Sequence, residues 1–326
     1  MVSLTVITPM YNEEGVISDT VKELRDTVSK DFEKFELIFV DDGSVDDTYN
    51  VVDSFAKKDK RIKVFRHRSN FGRGAALRTG FRHAAGEVVV TIDADLSYSP
   101  SYIPLLIQKM DDSGADVVLG STFMNGARMI NVPLFRALLS KIGNKVLTFS
   151  IDKKLTVITC VFRAYKKEVI DSLDIEADDK TVHLEILSKV LDMGYKVEEV
   201  PTSLKWRKFR ADKNKEKKRK SKFKIGSVFT HALFTFSEKP FLLLGSIAFL
   251  MIVFGLGIGG FIVYSWLADP HGTGKSALLI LMLVLLVGGL QVLFFNFLAV
   301  QNRNVVKRMN RLQRDVLLKG KGSKDK

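Results

Sequence analysis

Two long apolar runs near the end of the sequence constrain most strongly how this chain can fold. Residues 240–268 and 276–302 hold 29 and 27 residues, and neither run carries a formally charged side chain. Both exceed the roughly 20 apolar residues that a helix needs to cross a bilayer core. A buried helix of a soluble protein is the alternative, but two such runs joined by a short polar link favour a transmembrane hairpin.

The positive charge of the chain is concentrated beside these two runs. Residues 205–224 carry twelve lysines or arginines against two acids, and residues 301–326 carry nine against two, within a net charge of +13. Basic residues that flank membrane helices collect on the cytoplasmic side. We therefore expect a two-helix protein of the cell membrane, with its N-terminal domain and both termini in the cytoplasm.

The basic composition also suggests nucleic-acid binding, but juxtamembrane basic clusters typically meet anionic lipid head groups. We expect membrane lipids and no nucleic acid as partners. The single cysteine, Cys160, excludes an intramolecular disulfide and a multi-cysteine zinc site. The amphipathic stretch from Val305 to Leu318 leaves two alternatives open, self-association into a homo-oligomer or a tail that lies on the bilayer.

These patterns predict four regions. They are a soluble α/β domain at 1–204, a basic loop and juxtamembrane amphipathic segment at 205–238, a transmembrane hairpin at 239–302 with helices at about 240–268 and 276–300, and a basic tail at 303–326.

In the first region, short β-rich runs alternate with helical stretches. Strands are predicted at 2–8, 35–40, 62–66 and 87–92, and helices at 14–29, 47–57 and 75–85. Such alternation predicts right-handed βαβ units and a mainly parallel sheet with helices on both faces. Ligands of these sheets bind beyond the carboxyl ends of the strands, where acidic and glycine-rich segments follow here.

The sharpest local signal is Asp93-Ala94-Asp95, directly after the fourth predicted strand. Alternate residues leaving a strand point the same way, so the two carboxylates can converge on one hard cation. Mg²⁺ or Mn²⁺ held there could bridge the diphosphate of a nucleotide and neutralise a leaving group. The alternative for so short a motif is a solvated acidic turn.

Three further segments accompany this motif, each after its own strand: Pro9 to Glu14, Val40 to Thr48 and Asn70 to Ala75. In this order and spacing the four segments resemble the nucleotide-sugar half of family 2 glycosyltransferases, which adopt the GT-A fold. The helical stretch at 182–194, the segment at 194–201 and the membrane hairpin are similar to those of dolichyl-phosphate mannose synthases and bacterial polyprenyl-phosphate glucosyltransferases.

The resemblance implies roles for individual residues on the nucleotide side. The residues that would surround the base and ribose are Pro9, Tyr11, Glu13 and Asp42. Arg73 and Gly74 would let the backbone approach the nucleotide, and Arg207 would clamp the diphosphate. Asp93 would contact the ribose or metal, and Asp95 would ligate the metal. For Gly74 a tight turn is an equal alternative.

On the acceptor side, Arg136, Ser140 and Asn144 recur every four residues and therefore share one helix face. The resemblance implies that this face grips a lipid phosphate through Arg136 and Ser140, so that Asp95, Arg136 and Ser140 are the expected catalytic residues. A phosphate monoester is already largely dianionic near neutrality, since its second pKa is about 6, and needs no catalytic base.

The resemblance therefore implies an inverting, metal-dependent transfer of a hexose, from UDP-glucose or GDP-mannose, to a polyprenyl or dolichyl phosphate at the cytoplasmic membrane face. Four positions depart from the family pattern. Ser97 replaces a glutamine, Thr122 an arginine for which Arg128 could substitute, Val157 an aspartate, and Val161 a glycine.

Two alternative functions remain open on the sequence. A processive polysaccharide synthase is disfavoured because the Gln-x-x-Arg-Trp motif is missing and two membrane helices are too few for a channel. The departures are compatible with a catalytically inactive membrane scaffold or nucleotide-sugar sensor. His183, a histidine outside every motif, is predicted to be structural.

Overall fold

A computed structural model of the protein describes residues 3–133, 137–138, 140–141, 143–144, 155–206, 240–268 and 276–322. The chain divides into two compact units. One comprises residues 1–221 together with 310–326, and the other comprises residues 222–309.

The first unit is built on a seven-stranded sheet with the order β3-β2-β1-β4-β7-β5-β8 and a separate two-stranded sheet, β6-β9. The strands are β1 (Leu4–Met10), β2 (Phe35–Asp41), β3 (Ile62–Arg66), β4 (Val88–Thr91), β5 (Val117–Ser121), β6 (Met129–Ile130), β7 (Arg163–Lys166), β8 (Val197–Pro201) and β9 (Leu204–Lys205). The larger sheet is parallel except at β7, which pairs antiparallel with both β4 and β5. The predicted fold class, a mainly parallel α/β sheet, is confirmed.

The helices belong to both units of the chain. In chain order they are α1 (Glu14–Asp31), α2 (Thr48–Ala56), α3 (Arg73–His83), α4 (Ile103–Ser113), α5 (Lys167–Ser172), α6 (Val182–Asp192), α7 (Pro240–Ala268) and α8 (Ser276–Gly322). In α1 the buried side chains include Ile17, Val21, Leu24 and Val28, which recur at the three- and four-residue spacing of a single helix face.

Strand β1 extends two residues further than the sequence predicted, through Pro9 to Met10. Proline cannot donate to a sheet ladder, so it is tolerated only where one side of the strand is unpaired. Strand β4 pairs with β1 only from Leu4 to Ile7, whereas β2 pairs with it as far as Met10. Pro9 therefore lies where β1 has a single neighbour, which explains why the strand does not end there.

The second unit contains α7 and most of α8. Helix α7 has the predicted bounds, while α8 continues well beyond residue 300 without a break. In the most apolar stretches of the two helices only 11% and 6% of the residues are buried. A core helix of a soluble protein would be mostly buried, so this exposure of apolar side chains indicates a membrane protein.

Small residues allow α7 and α8 to approach each other closely. A Cβ placed on Gly255 would lie 2.8 Å from Leu286, and one placed on Gly259 would lie 3.0 Å from Met282. The glycine-rich stretch of α7 therefore serves helix packing, as small residues commonly do in membrane helices.

Candidate functional site

The strands bring four polar segments to one edge of the larger sheet. Met10 pairs with Asp41, Asp41 pairs with Arg66, and Ile7 pairs with Thr91, so the carboxyl ends of β1 to β4 lie side by side. We call the residues that follow these ends the strand-end cluster: 10–13, 41–48, 67–74 and 93–97. The cluster occupies the position at which parallel sheets bind ligands.

Hydrogen bonds join the first two segments of the cluster. The backbone N–H of Asn12 donates to Ser44 Oγ at 2.9 Å, and that of Glu13 donates to Thr48 Oγ1 at 2.8 Å. Asn12 adopts a left-handed φ of 54°, a conformation that asparagine tolerates better than most residues. Tyr11 lies directly before these fixed points and is 39% exposed, so its ring is available to a planar ligand.

Asp42, predicted to contact the base or ribose, holds the third segment in place. Its Oδ1 accepts from the N–H of Phe71 at 3.0 Å, and its Oδ2 accepts from the N–H of Gly72 at 2.8 Å. His67 Nδ1 lies 2.8 Å from the same carboxylate, and its Nε2 lies 2.9 Å from Thr79 Oγ1. Sequence reasoning missed His67, for which no motif signals a role.

The structure brings together two predicted site residues from distant segments. Arg73 opens α3 and Asp93 follows β4, and Arg73 Nη2 lies 3.2 Å from Asp93 Oδ1. Burial raises the pKa of Asp93, and repulsion by Asp95 adds to this, while Arg73 and Lys180 oppose it. Two carboxylates that repel each other next to two cations form a site for a charged ligand. Lys180 was not predicted, because it lies outside every motif.

Asp95 is held in a tight turn by Ser97. Asp95 Oδ1 accepts from the N–H of Ser97 at 2.9 Å and from its hydroxyl at 2.7 Å. The intervening Leu96 is buried and has a left-handed φ of 46°, which is strained for a leucine. Ser97 also accepts through its carbonyl from the N–H of Lys205 at 2.8 Å. The serine that replaces the family's glutamine thus orients the second carboxylate.

The donor set of this turn fits a hard divalent cation. Among the described residues no group of three or more His, Cys, Asp or Glu side chains is placed to hold a metal. Mg²⁺, however, is commonly held by only one or two carboxylates, with substrate phosphates and water completing its shell. Asp93 and Asp95 supply two carboxylates, and a cation between them would relieve their mutual repulsion. Arg73 would then share Asp93 with the metal.

Gly74 is required by the protein's own backbone. Its N–H donates to the carbonyl of Asp178 at 2.6 Å, and a Cβ at this position would overlap the carbonyl oxygen of Ala177. The 176–178 loop is fixed in turn by Glu185, which accepts from the N–H groups of Glu176 and Ala177 at 2.9 and 2.8 Å. Close packing of α3 against this loop therefore accounts for the glycine.

On the other side of β4, two polar side chains fix the start of the loop at 155–162. Glu199 on β8 accepts from the N–H of Thr156 at 2.8 Å and from that of Val157 at 2.9 Å. Asn144 donates through Nδ2 to the carbonyl of Thr156, and its Oδ1 accepts from the N–H of Ile158 at 3.0 Å. These bonds hold the backbone at the start of the loop in a defined conformation.

Arg163 fixes the end of the same loop from inside the core. Its guanidinium is fully buried and donates to three carbonyls, those of Cys160 at 2.8 Å, His183 at 3.1 Å and Ile158. Burial, together with the nearby Arg163 and Arg73, lowers the pKa of His183 far below its ordinary value, so its imidazole is neutral. The predicted structural position of His183 agrees with these contacts.

The remaining predicted acceptor residues are only partly described. Ser140 lies in helical backbone and is exposed, whereas Asn144, one turn later, is buried. Arg136 and Arg207 lie outside the described residues. The last described residues before Arg207 are anchored to the site, since Lys205 is bonded to Ser97 and Trp206 N–H donates to Ile130 at 2.9 Å.

Thr122, where the family has an arginine, faces inward. It is hydrogen-bonded to the hydroxyl of Tyr98, whose ring stacks on Phe162 with 5.4 Å between ring centroids. Burial raises the pKa of Tyr98, so this hydroxyl stays protonated. The threonine at this position is therefore part of the core that packs against Phe162 of the 155–162 loop.

Comparison with known proteins identifies the class of protein that this fold and site define. The profile of glycosyl transferase family 2 matches residues 5–174, which include the strand-end cluster and the 155–162 loop. The chain belongs to glycosyl transferase family 2.

The sequence is 29% identical over 187 residues to the undecaprenyl-phosphate 4-deoxy-4-formamido-L-arabinose transferase of Klebsiella pneumoniae (strain 342), covering 57% of this chain and 55% of that protein. It is also 29% identical over 188 residues to the protein of the same name from Salmonella choleraesuis (strain SC-B67), with the same coverage. The chain spans about half the length of the curated relatives it matches.

The fold is shared with solved structures. Glucosyl-3-phosphoglycerate synthase from Mycobacterium tuberculosis, crystallised with UDP, matches with a TM-score of 0.50 and 21% identity, over 73% of this chain and 80% of that one. Crystals of the same enzyme with Mn²⁺, UDP-glucose and phosphoglyceric acid give a TM-score of 0.50 at 19% identity. This likeness confirms the GT-A fold.

Proposed function

We propose that this protein transfers a sugar from a nucleotide sugar to the phosphate of a polyprenyl phosphate in the membrane. The observation that carries the proposal is the meeting of Asp93, Asp95 and Arg73 at the carboxyl edge of the sheet, in a chain with two helices of membrane-spanning length. The names of the curated relatives, which specify undecaprenyl phosphate, support this acceptor.

The strand-end cluster would bind the nucleotide. Tyr11 would stack on the base, and Pro9 and Glu13 would line its pocket. Asp42 would contribute to this pocket indirectly. Its carboxylate accepts from the N–H groups of Phe71 and Gly72 and so holds their loop in place. The guanidinium of Arg73 would face the diphosphate, since the fork of donors of an arginine favours phosphate.

Asp93 and Asp95 would hold Mg²⁺ or Mn²⁺, which supplies charge neutralisation at the diphosphate. Ser97 keeps Asp95 oriented before any ligand arrives, so little reorganisation is needed. Arg207 follows Lys205 by two residues, and Lys205 is bonded to the same turn. This supports Arg207 as a second cation for the diphosphate.

The reaction is a displacement at the anomeric carbon. An oxygen of the lipid phosphate attacks that carbon, the bond to the nucleoside diphosphate breaks with both electrons going to the leaving oxygen, and the configuration inverts. The acceptor is already ionised, so the protein contributes positioning and charge neutralisation and no general base. The 155–162 loop, fixed by Asn144, Glu199 and Arg163, would form one wall of the acceptor site, with Arg136 and Ser140 at the phosphate.

The sugar and its nucleotide are the finer part of the proposal. UDP-glucose and GDP-mannose are the hexose donors that the sequence resemblance implies. The curated relatives are named for 4-deoxy-4-formamido-L-arabinose, a pentose derivative, so the nucleotide-linked form of that sugar belongs in the same donor panel.

The test is transfer of radiolabelled sugar from each donor to a short polyprenyl phosphate by the full chain in detergent, with Mn²⁺, Mg²⁺ or EDTA. Asp95→Asn should lower the rate by about 10²–10³-fold, the range seen when one preorganised charge contact is removed. Asp112→Asn, which alters an exposed carboxylate on α4, is the matched control and should keep full activity.

Nucleotide binding, measured by calorimetry with and without Mn²⁺, gives a second readout. Metal-dependent binding that Asp95→Asn weakens supports the predicted metal ligand even where the correct sugar is missing from the panel. Metal-dependent binding without lipid product across the whole panel would instead favour the nucleotide-sugar sensor. Equal activity of Asp95→Asn and Asp112→Asn would overturn the proposed site.

A further inference from the structure

A cavity of about 310 Å³ lies against one side of α3. Four of the residues that line it, Ala75, Arg78, Thr79 and Arg82, lie on successive turns of that helix and share one face. Its volume is at the lower end of the range for small-molecule sites, about 300–1,000 Å³. The sugar transfer proposed above makes no use of this cavity, which we call the α3 cavity.

The α3 cavity extends away from the strand-end cluster. Helix α3 connects β3 and β4, and these strands pair parallel with β2 and β1, so the helix returns from the carboxyl ends of the strands toward their amino ends. Arg82 is in the last turn of α3, about 13 Å along the helix axis from Arg73. The end of the cavity at Arg82 is therefore separate from the predicted diphosphate contact at Arg73.

Two arginines make one side of the cavity rich in hydrogen-bond donors. Arg82 is exposed, and within the described part of the chain no side chain or carbonyl bonds to its guanidinium. Arg78 donates through Nη1 to the carbonyls of Glu176 at 3.1 Å and Ala177 at 2.9 Å. Its Nη2 pairs with Asp178. A guanidinium has further N–H donors beyond these, so Arg78 can also bond a ligand.

The charge of this lining favours an anion. Arg78 and Arg82 carry two positive charges against the single carboxylate of Asp178, which Arg78 already pairs. Unused donors next to a net positive charge match a group with several acceptor oxygens. A phosphate monoester presents more acceptor oxygens than a carboxylate does, so phosphate is the better match for two guanidinium forks.

Another wall of the α3 cavity is aromatic. Phe71 is 53% exposed, and the imidazole of His67 lies against it with 5.6 Å between ring centroids and 62° between ring planes. Both nitrogens of His67 are already bonded, to Asp42 and to Thr79. This wall therefore offers ring surface, against which a further planar ring packs favourably.

His67 also connects the cavity to the loop before α3. An ionised carboxylate only accepts hydrogen bonds, so His67 Nδ1 donates to Asp42 at 2.8 Å. The same carboxylate accepts from the N–H groups of Phe71 and Gly72. A ligand that packs on His67 and Phe71 therefore restrains this hydrogen-bonded loop.

We propose that the α3 cavity is a second ligand site, which binds a small aromatic phosphate ester. The aromatic ring packs against Phe71 and His67, and the phosphate is bound by Arg82 together with the unused donors of Arg78. The bound ligand stabilises the loop at 71–72, which immediately precedes Arg73. This site goes beyond the proposed sugar transfer, and its tests need neither a sugar donor nor a lipid acceptor.

Binding of phenyl phosphate to the full chain in detergent tests the site, with inorganic phosphate as the comparison. Saturation-transfer NMR measures weak binding of both compounds. Phenyl phosphate should bind about tenfold more tightly than inorganic phosphate, because packing of its ring on Phe71 adds to the contact with the arginines. Equal affinities, or no saturable binding of phenyl phosphate at millimolar concentrations, would overturn the proposal.

The variant Arg82→Gln tests the phosphate contact. It should weaken the binding of phenyl phosphate about tenfold, as expected for the loss of charge-assisted hydrogen bonds. The matched control is Arg25→Gln, which alters an arginine of α1 that does not line the cavity and should keep wild-type affinity. Equal affinities of these two variants would count against the site. Binding that is lost in Arg73→Gln but retained in Arg82→Gln would place phenyl phosphate in the strand-end cluster and also overturn the proposal.

The variant Phe71→Leu tests the ring contact. It keeps an apolar side chain but removes the aromatic ring, so the affinity for phenyl phosphate should fall about fivefold while that for inorganic phosphate stays unchanged. An equal loss for the two compounds would contradict the proposed packing of the ligand ring on Phe71.

Hydrogen exchange of the N–H groups of Phe71 and Gly72 tests the connection through His67. Saturating phenyl phosphate should slow this exchange about threefold in the wild type and leave it unchanged in Arg82→Gln. Unchanged exchange in the wild type, together with binding that depends on Arg82, would overturn the proposed stabilisation of the loop.

Discussion

The strand-end cluster lies at the ends of β1 to β4, whereas the 155–162 loop leads into β7, which pairs with the other side of β4. The two regions are assembled in different ways. The cluster forms where four neighbouring parallel strands end, so its segments meet because of the strand order. The loop is held by three side chains that donate to or accept from its backbone, namely Asn144, Glu199 and Arg163. The strands themselves are marked by local periodicity, whereas a bond between a side chain and a distant backbone group, such as that of Glu199 to Thr156, has no local pattern.

This difference suggests that the two regions have separate stabilities and separate functions. Perturbing Arg163 should damage the acceptor side and spare the nucleotide, while perturbing Gly74 should do the reverse. The variants below test that separation, in order of decreasing expected effect.

Arg163→Met removes the donor from three buried carbonyls, those of Ile158, Cys160 and His183. Each buried polar group left unpaired costs about 1–3 kcal/mol, so a loss of about 3 kcal/mol in the free energy of unfolding is expected. Arg25→Met, which alters a partly exposed arginine paired with the neighbouring Asp26, should have little effect. The measurement is the melting temperature of the full chain.

The milder variant Arg163→Lys keeps the charge but not the fork of donors. We expect a raised KM for the lipid phosphate with the Kd for nucleotide unchanged. Nucleotide binding that weakens by the same factor as lipid use would show that the two regions form one cooperative unit.

Gly74→Ala forces the 176–178 loop away from α3, because the added Cβ would overlap the Ala177 carbonyl. Overpacking of this kind typically costs about 1–3 kcal/mol. Displacement of the adjacent Arg73 should also weaken nucleotide binding about tenfold, with the KM for lipid unchanged. Gly15→Ala in α1 is the matched control, since nothing lies within 4 Å of its added Cβ. Equal effects of the two variants would contradict this account.

The smallest expected effect is a contrast in the pH dependence of stability. Glu185 fixes the 176–178 loop, and Glu199 fixes the 155–162 loop. Burial works to raise the pKa of Glu185, but Lys189 and the N–H groups of Glu176 and Ala177 outweigh it and lower the pKa below 4.5. Burial raises the pKa of Glu199 above 4.5, against opposing bonds from the 156–157 backbone.

The signs of the two contributions are therefore opposite. Glu185 stabilises the fold above pH 4.5, and this stabilisation is lost as the pH falls through the folded pKa. The folded state binds a proton on Glu199 more tightly, so that contribution is present below pH 4.5 and is lost as the pH rises through the raised pKa. Melting temperatures from about pH 3 to pH 7 should show the advantage of wild type over Glu185→Gln shrinking toward acid, and over Glu199→Gln shrinking toward neutrality. Parallel profiles would refute the contrast.

Much of the nucleotide side could be predicted from the sequence. The strands ending near Met10, Asp41, Arg66 and Thr91 were located by apolar runs, and the polar residues after each run necessarily meet once the strands are parallel. His67 and Lys180 were missed, because His67 precedes the Asn70 to Ala75 segment and Lys180 lies outside every motif.

The 155–162 loop was predicted least well. Val157 and Val161 were recognised as departures from the family pattern, but the sequence contains nothing that links Thr156 to Glu199, 43 residues away. Asn144 was grouped with Ser140 by its spacing on a helix, yet the structure buries Asn144 and exposes Ser140. The spacing shows that the two residues share a helix face, but only the packing of that helix decides which of them is buried.

The sequence by itself determined the parallel α/β class, the sheet edge at which the polar segments gather and the two membrane-length helices. Each of these depends on the periodicity or length of apolar runs, which is a local property. Only the tertiary structure decided that Arg73 meets Asp93, that Arg163 supports three carbonyls and that Gly74 packs against the 176–178 loop. The contacts of Arg73 and Gly74 join segments far apart in the chain, and the contacts of all three residues form only after the backbone has folded.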